Sequence, residues 1–185
     1  MDGGIAMGSV RLYGATSGYL ELQAPDVSPD AALVLPSTGF GKVLQVVRAT
    51  DGTNRTTSSS TSVDVTGMSV TITPQKSTST LIIMAFGSAY CTSASTNNLA
   101  ANFRITDSSN NPISGCEAND FGVQNLTRSG TGYVYQHVTC VAYATPATTS
   151  AVTYKLQFKV YSTSATISIQ NGSNTGQMYA IEVAA

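Results

Sequence analysis

A chain of 185 residues with 42% hydrophobic side chains can bury a sizeable core, and its formal net charge of −1 leaves no surplus of cations. That balance excludes a phosphate-neutralising surface, so neither nucleic acid nor an anionic membrane surface is an expected partner. The longest apolar run, Leu81–Phe86, is strand-sized, so no membrane insertion is expected.

Only 10% of residues are charged, and Ser, Thr, Asn and Gly take the polar positions instead. This is the profile of turn-rich β structure whose polar faces are hydroxyl and amide. Residues 1–10 have neither the charged nor the apolar part of a secretion signal. Up to Gly39–Lys42, hydrophobicity comes in bursts at Val10–Tyr13, Tyr19–Leu22 and Leu33–Leu35, parted by turn residues. Such bursts cannot close a core of their own. They predict an extended arm over residues 1–41, with Leu12, Tyr13, Tyr19, Leu20, Leu22, Leu33 and Leu35 set against other copies of the chain or another protein.

From residue 42 to 185 the pattern becomes strand, turn, strand. Val43–Arg48 is a strong β run. Val63, Val65, Val70 and Ile72 alternate with polar residues, and Gly67 marks a bend or bulge. Leu81–Tyr90 is the most apolar strand; Phe103–Thr106 and Pro112–Cys116 flank the hairpin-loop composition Asp107–Asn111. Tyr133–Tyr143 alternates up to Pro146, and Tyr154–Tyr161 shows the cleanest period of two. Ala165–Gln170 and Met178–Val183 close the chain. About eight or nine short strands without a helix predict an all-β head, a jelly-roll-like β-sandwich.

Two of these strands are apolar on both faces. Leu81, Ile82, Ile83, Met84 and Phe86 run consecutively, and Tyr133, Tyr135 and Val141 share a strand with Val134, Val138 and Cys140 on its other face. A sandwich strand packs one face on the core and shows the other to water, so a second covering is implied. A homo-oligomer supplies it, with Ile82, Met84, Tyr133 and Tyr135 as candidate contacts.

Chemistry-bearing groups are sparse. Cys91, Cys116 and Cys140 are widely spaced and odd in number, which reads as three buried thiols rather than a disulfide framework. His137 is the one histidine and has no second ligand at metal spacing. Glu117, Asp120 and Asp107 are loop acids too few for a calcium cage or a carboxylate pair. The N-x-S/T triplets at Asn54, Asn125 and Asn171 are expected by chance in so hydroxyl-rich a chain. No enzyme activity, metal or cofactor is expected. Tyr90, Phe121, Tyr133, Tyr135 and Tyr143 are the aromatic candidates for a shallow sugar patch, with core or oligomer packing as the competing role.

The stretch Gly8-Ser9-Val10-Arg11-Leu12-Tyr13-Gly14-Ala15-Thr16-Ser17-Gly18-Tyr19-Leu20-Glu21-Leu22-Gln23-Ala24-Pro25, continuing to Leu33-Val34-Leu35-Pro36, resembles the G-S-T-S-G…A-P…L-P stem segment of phage tail-fibre and related virion proteins. Ser62-Val63-Asp64-Val65-Thr66-Gly67 and the closing Met178–Val183 resemble the head domain often found beside it. The resemblance implies a homotrimer with a head like those of tumour-necrosis-factor and C1q domains, placed on the virion surface. It implies an arm that holds other virion proteins, in tail or capsid, and a head that contacts the host, where Tyr90 and Phe121 are candidate contacts for a surface glycan. Tail-fibre proteins of this kind are usually longer, so a trimeric capsid decoration protein or head fibre is the alternative. A soluble carbohydrate-binding module is the competitor from another class.

Overall fold

The computed structural model describes residues 9–13, 19–23, 42–93, 100–117, 121–124, 132–161 and 164–185. The chain divides into two compact units, 1–40 and 41–185. In the first, β1 (Ser9–Tyr13) and β2 (Tyr19–Gln23) pair antiparallel, Ser9 opposite Gln23 and Tyr13 opposite Tyr19. Two of the three apolar bursts therefore pair with each other. Leu33 and Leu35 lie outside the described residues.

The second unit is an all-β sandwich, with no helix among its described residues. Its larger sheet contains β3 (Val43–Asp51), β4 (Arg55–Thr57), β6 (Thr80–Ser93), β9 (Gly132–Ala144), β11 (Ala165–Ile169) and β12 (Gly176–Val183). The smaller contains β5 (Val63–Ile72), β7 (Ala100–Asp107), β8 (Phe121–Gln124) and β10 (Val152–Val160), in the order β5-β10-β7-β8. Strand β6 is the spine of the larger sheet. Along one edge it pairs with β9 from Leu81↔Ala144 to Ser93↔Gly132. Its other edge is shared by β12, over Thr80–Phe86, and β11, over Ala89–Ser93. Every pairing is antiparallel, and successive long strands cross between the sheets, as in a jelly roll.

Strand alternation builds the core. Leu81, Ile83, Ala85, Ala89 and Cys91 of β6 face Phe103 and Ile105 of β7 and Leu156 and Phe158 of β10, all buried. The Phe103 and Phe158 rings stack with centroids 6.3 Å apart. The three cysteines are free and buried in this core, and burial pushes the Cys91 thiol up to about 11.

Four details depart from the alternation pattern. The short strands β4 and β8 carry too few residues for a periodicity to show. Pro112–Cys116 is not a strand: it meets β7 through one bridge, Thr106↔Pro112, and the hydrogen bond Ile113 N–H to Ile105 O at 2.9 Å. The turn between them is made by Asp107, whose carboxylate accepts from Asn111 Nδ2 at 2.8 Å and from the backbone N–H of Ser109 and Asn111. The Asn111 side chain above all holds that carboxyl below the ordinary Asp range. Gly67 sits in β5 at φ +92°, where the pairing of β5 with β10 shifts register between Lys155 and Gln157.

An added Cβ at Gly67 would lie 2.6 Å from Asp51 Oδ1. Gly67→Ala therefore combines a left-handed backbone with a steric collision, and a loss of about 2 kcal/mol is expected in urea unfolding. Gly176 is fixed by a similar approach to the Asn171 side chain. Asn171 itself is 1% exposed and donates to Asp51 Oδ2 at 3.0 Å, so this triplet serves packing at a corner of the fold.

Candidate functional site: the outer face of the larger sheet

The two outward faces of the sandwich differ in chemistry. On the smaller sheet the outer face is a charged, internally paired network. Lys155 Nζ donates to Asp64 Oδ2 at 2.9 Å and to Asn110 Oδ1 at 2.7 Å. Gln157 Nε2 donates to Asp64 Oδ1 at 2.6 Å and accepts, through Oε1, from Arg104 Nε at 2.8 Å. Burial opposes the Asp64 charge, but the bonds from Gln157 and Lys155 outweigh it and hold this carboxyl below its ordinary range. Such a face is finished for contact with water.

The larger sheet shows another surface. The register sets its outward side chains in rows across β9, β6, β12 and β3. Tyr143, Ile82, Ile181 and Val46 make the first row; Val141, Met84, Tyr179 and Arg48 make the second. Phe86 meets Tyr179 edge to face at 6.1 Å, and the Arg48 guanidinium lies 6.0 Å from the Tyr179 ring. Val46 is 56% exposed, Tyr143 54% and Val141 42%. Six of the seven large hydrophobics found exposed among the described residues (Val43, Val46, Tyr133, Tyr135, Val141 and Tyr143) lie on the strands of this one sheet.

Beyond the Phe86–Thr139 pair the neighbour of β6 changes from β12 to β11, and the chemistry of the face changes with it. Aliphatic side chains give way to Ser88, His137, Thr92, Ser168 and Thr166, among which three tyrosines stand. The rings of Tyr90 and Tyr135 are 4.5 Å apart at 35°, and Tyr133 lies 6.0 Å from each. Tyr133 and Tyr135 are 62% and 66% exposed. His137 Nδ1 lies 3.2 Å from Ser88 Oγ.

The sequence-predicted residues thus fall out as follows. Ile82, Met84, Tyr90, Tyr133 and Tyr135 share one face, carried by the paired strands β6 and β9. Phe121 lies on β8 of the other sheet, opposite Phe103, so it does not join Tyr90. Leu12, Tyr13, Tyr19, Leu20 and Leu22 lie on β1 and β2, where Leu12 is the cross-strand partner of Leu20. Glu117 accepts from Gly115 N–H at 3.2 Å as a loop brace, and Asp120 lies outside the described residues. Val46, Arg48, Tyr179 and Ile181 were missed as members of the face. The signal was present: Val43–Val47 and Met178–Val183 are also apolar on both parities.

Edge strand β9 is the second distinctive feature. Among the described strands it pairs with β6 alone, with its Tyr143 N–H taken by Ser114 O at 2.8 Å, and it runs 13 residues without a Lys, Arg, Asp, Glu or Pro. Natural edge strands are normally blunted by charges, prolines or cover, because an open row of backbone groups invites another chain. Among the described residues no group of three or more His, Cys, Asp or Glu side chains is placed to hold a metal ion. Among the described residues no helix is long and apolar enough to cross a membrane.

No protein-family model and no curated protein matches the chain. Among solved structures the chain is similar to a structure of the infectious bursal disease virus Gx strain, at 15% identity and a TM-score of 0.34. That match covers 91% of this chain and 43% of the other, so this chain spans less than half the length of its structural neighbour.

Proposed function

We propose that this chain is a structural protein of a bacteriophage virion: a short homotrimeric fibre or knob at the virion surface, whose residues 1–41 attach it to the particle and whose head contributes to host attachment. The observation that carries the reading is the contrast between the two outer faces. One is charged and satisfied within itself, while the other exposes Val46, Val141 and Tyr143 beside an uncharged edge strand. Apolar surface concentrated on one face marks an interaction site. An edge strand without charges or prolines along its length invites another chain to cover it. Further copies of the same chain are the simplest cover, and three of them close a ring. The subunit contact is assigned to the apolar half of the face, around Ile82, Met84, Val141 and Tyr143. The stem-segment resemblance supports the virion role.

Two measurements test the proposal. Sedimentation of the full-length protein at micromolar concentration is expected to give three times the 19.2 kDa chain mass; a 19.2 kDa species overturns the trimer. Antibody against the head is expected to label virions in electron micrographs. Label at the tail supports a fibre, label over the capsid makes the chain a decoration protein or head fibre, and unlabelled virions overturn the virion role.

A further inference from the structure

We infer that the tyrosine end of the larger sheet is a binding site for an uncharged saccharide, an assignment that rests on the host-contact reading above. The site is a platform beside a groove. Tyr90 and Tyr135 hold their rings 4.5 Å apart, Tyr133 braces both, and two of the three rings are about two-thirds exposed. Next to Tyr135 runs a groove of about 340 Å³, whose lining includes Gln136, His137, Gln170 and Asn174. A second hollow of about 300 Å³ shares Ser88, His137 and Asn174 with it and continues along β6 toward Phe86. Each is at the lower end of the range for small-ligand sites.

Chemistry selects the ligand class. An aromatic ring presents an electron-rich face, which attracts the weakly positive C–H edges of a pyranose. Amide and imidazole groups supply donors and acceptors in matched pairs, as vicinal hydroxyls require. His137 spends Nδ1 on Ser88 and keeps Nε2 for a ligand. The groove lining brings the amide groups of Gln170 and Asn174 beside the imidazole, and a ligand hydroxyl bound there would displace water. No Lys, Arg, Asp or Glu lines either hollow. A phosphate or a sugar acid would therefore enter without a counter-charge, whereas a neutral sugar loses nothing.

Position separates this end of the face from the subunit contact. Lys42, where the head begins, is hydrogen-bonded through its carbonyl to Ala184 N–H, at the Thr80 end of β6. Tyr90 lies ten residues further along β6, about 33 Å at the usual strand rise. The platform is thus at the end of the head remote from where the chain enters, and the aliphatic rows lie between.

The test is titration of the full-length protein, by calorimetry and ligand-observed NMR, with methyl glycosides of glucose, galactose, mannose and N-acetylglucosamine, with lactose, and with 3′-sialyllactose. At least one neutral sugar is expected to bind, with affinity falling by up to about tenfold in Tyr135→Ala, the size of one lost stacking contact. Tyr135→Phe keeps the ring and is expected to retain binding, as is Val141→Lys in the apolar half. Binding by none of the neutral probes, binding indifferent to Tyr135→Ala, or binding confined to the sialylated sugar overturns the site. A lower assembly mass in Tyr135→Ala also overturns it, by making the platform a subunit contact while the trimer stands. Saccharide binding by a protein that labels no virion leaves the site in place and removes the virion role instead.

Discussion

Glu182→Ala is expected to lower stability by about 3 kcal/mol, which for a chain of this size is a fall in Tm of roughly 6–12 °C. Glu182 is an inward residue of β12, fully buried, with no ion-pair partner among the described residues. Its carboxylate is held by hydrogen bonds instead. Gln75 N–H donates to Oε1 at 2.8 Å and to Oε2 at 3.0 Å, Lys76 N–H donates at 3.2 Å, and Gln45 Nε2 at 2.6 Å. One side chain therefore satisfies the loop between β5 and β6 and ties it to β3. Truncation strands those donors, and the cost of unpaired polar groups exceeds that of the lost methylenes.

The same carboxylate gives the fold a pH dependence of known sign. Burial disfavours its charge, but the bonds from Gln45 and the Gln75 and Lys76 N–H groups prevail and hold this carboxyl below the ordinary Glu range. A group with a depressed folded pKa contributes stability above its unfolded pKa, and the contribution is lost as pH falls through the folded value. The difference in unfolding free energy between wild type and Glu182→Gln is expected to be flat above about pH 6 and to shrink below about pH 4.5. Urea unfolding at several pH values measures it. A difference that grew on acidification would show that Glu182 is protonated in the folded protein.

Val141→Lys is expected to convert the assembled protein to monomers while leaving the head folded. Val141 is 42% exposed in the single chain, so a lysine there can reach water in the monomer. In an assembly that covers the row Val141–Met84–Tyr179–Arg48, the ammonium would be desolvated without a partner. An unpaired charge in an interface costs about 2–5 kcal/mol, which is roughly 30- to several-thousand-fold in association. Lys159→Glu, on the charged smaller sheet, is expected to leave the mass unchanged. Sedimentation of the two variants beside wild type, with circular dichroism to confirm folding, reads the result. Unchanged mass in Val141→Lys would move the contact off this face.

The strands that announced themselves were those with enough residues to show a period. Tyr154–Tyr161 alternates over seven positions, and the structure places β10 at Val152–Val160 with Tyr154, Leu156, Phe158 and Val160 buried. Arg55–Thr57 and Phe121–Gln124 were illegible because strands of three and four residues owe their state to the neighbours β11 and β7. Pro112–Cys116 misled by composition: its residues suit a strand, but Asp107 binds the turn so tightly that the return segment meets β7 at a single bridge.

Composition and side-chain period alone were enough for the all-β class, the division of most residues between inside and outside, and the anomaly of strands apolar on both parities. Those properties follow from side-chain period and composition, which are local. Only the tertiary structure decided that β6 and β9 pair over their whole length, so that Ile82, Met84, Tyr90, Tyr133 and Tyr135 form one surface. It also decided that Val46 and Ile181 join that surface and that Phe121 does not. The physical reason is that parity tells which side of a strand a residue occupies, whereas strand order and register, set by core packing across the whole chain, tell which residues on that side become neighbours.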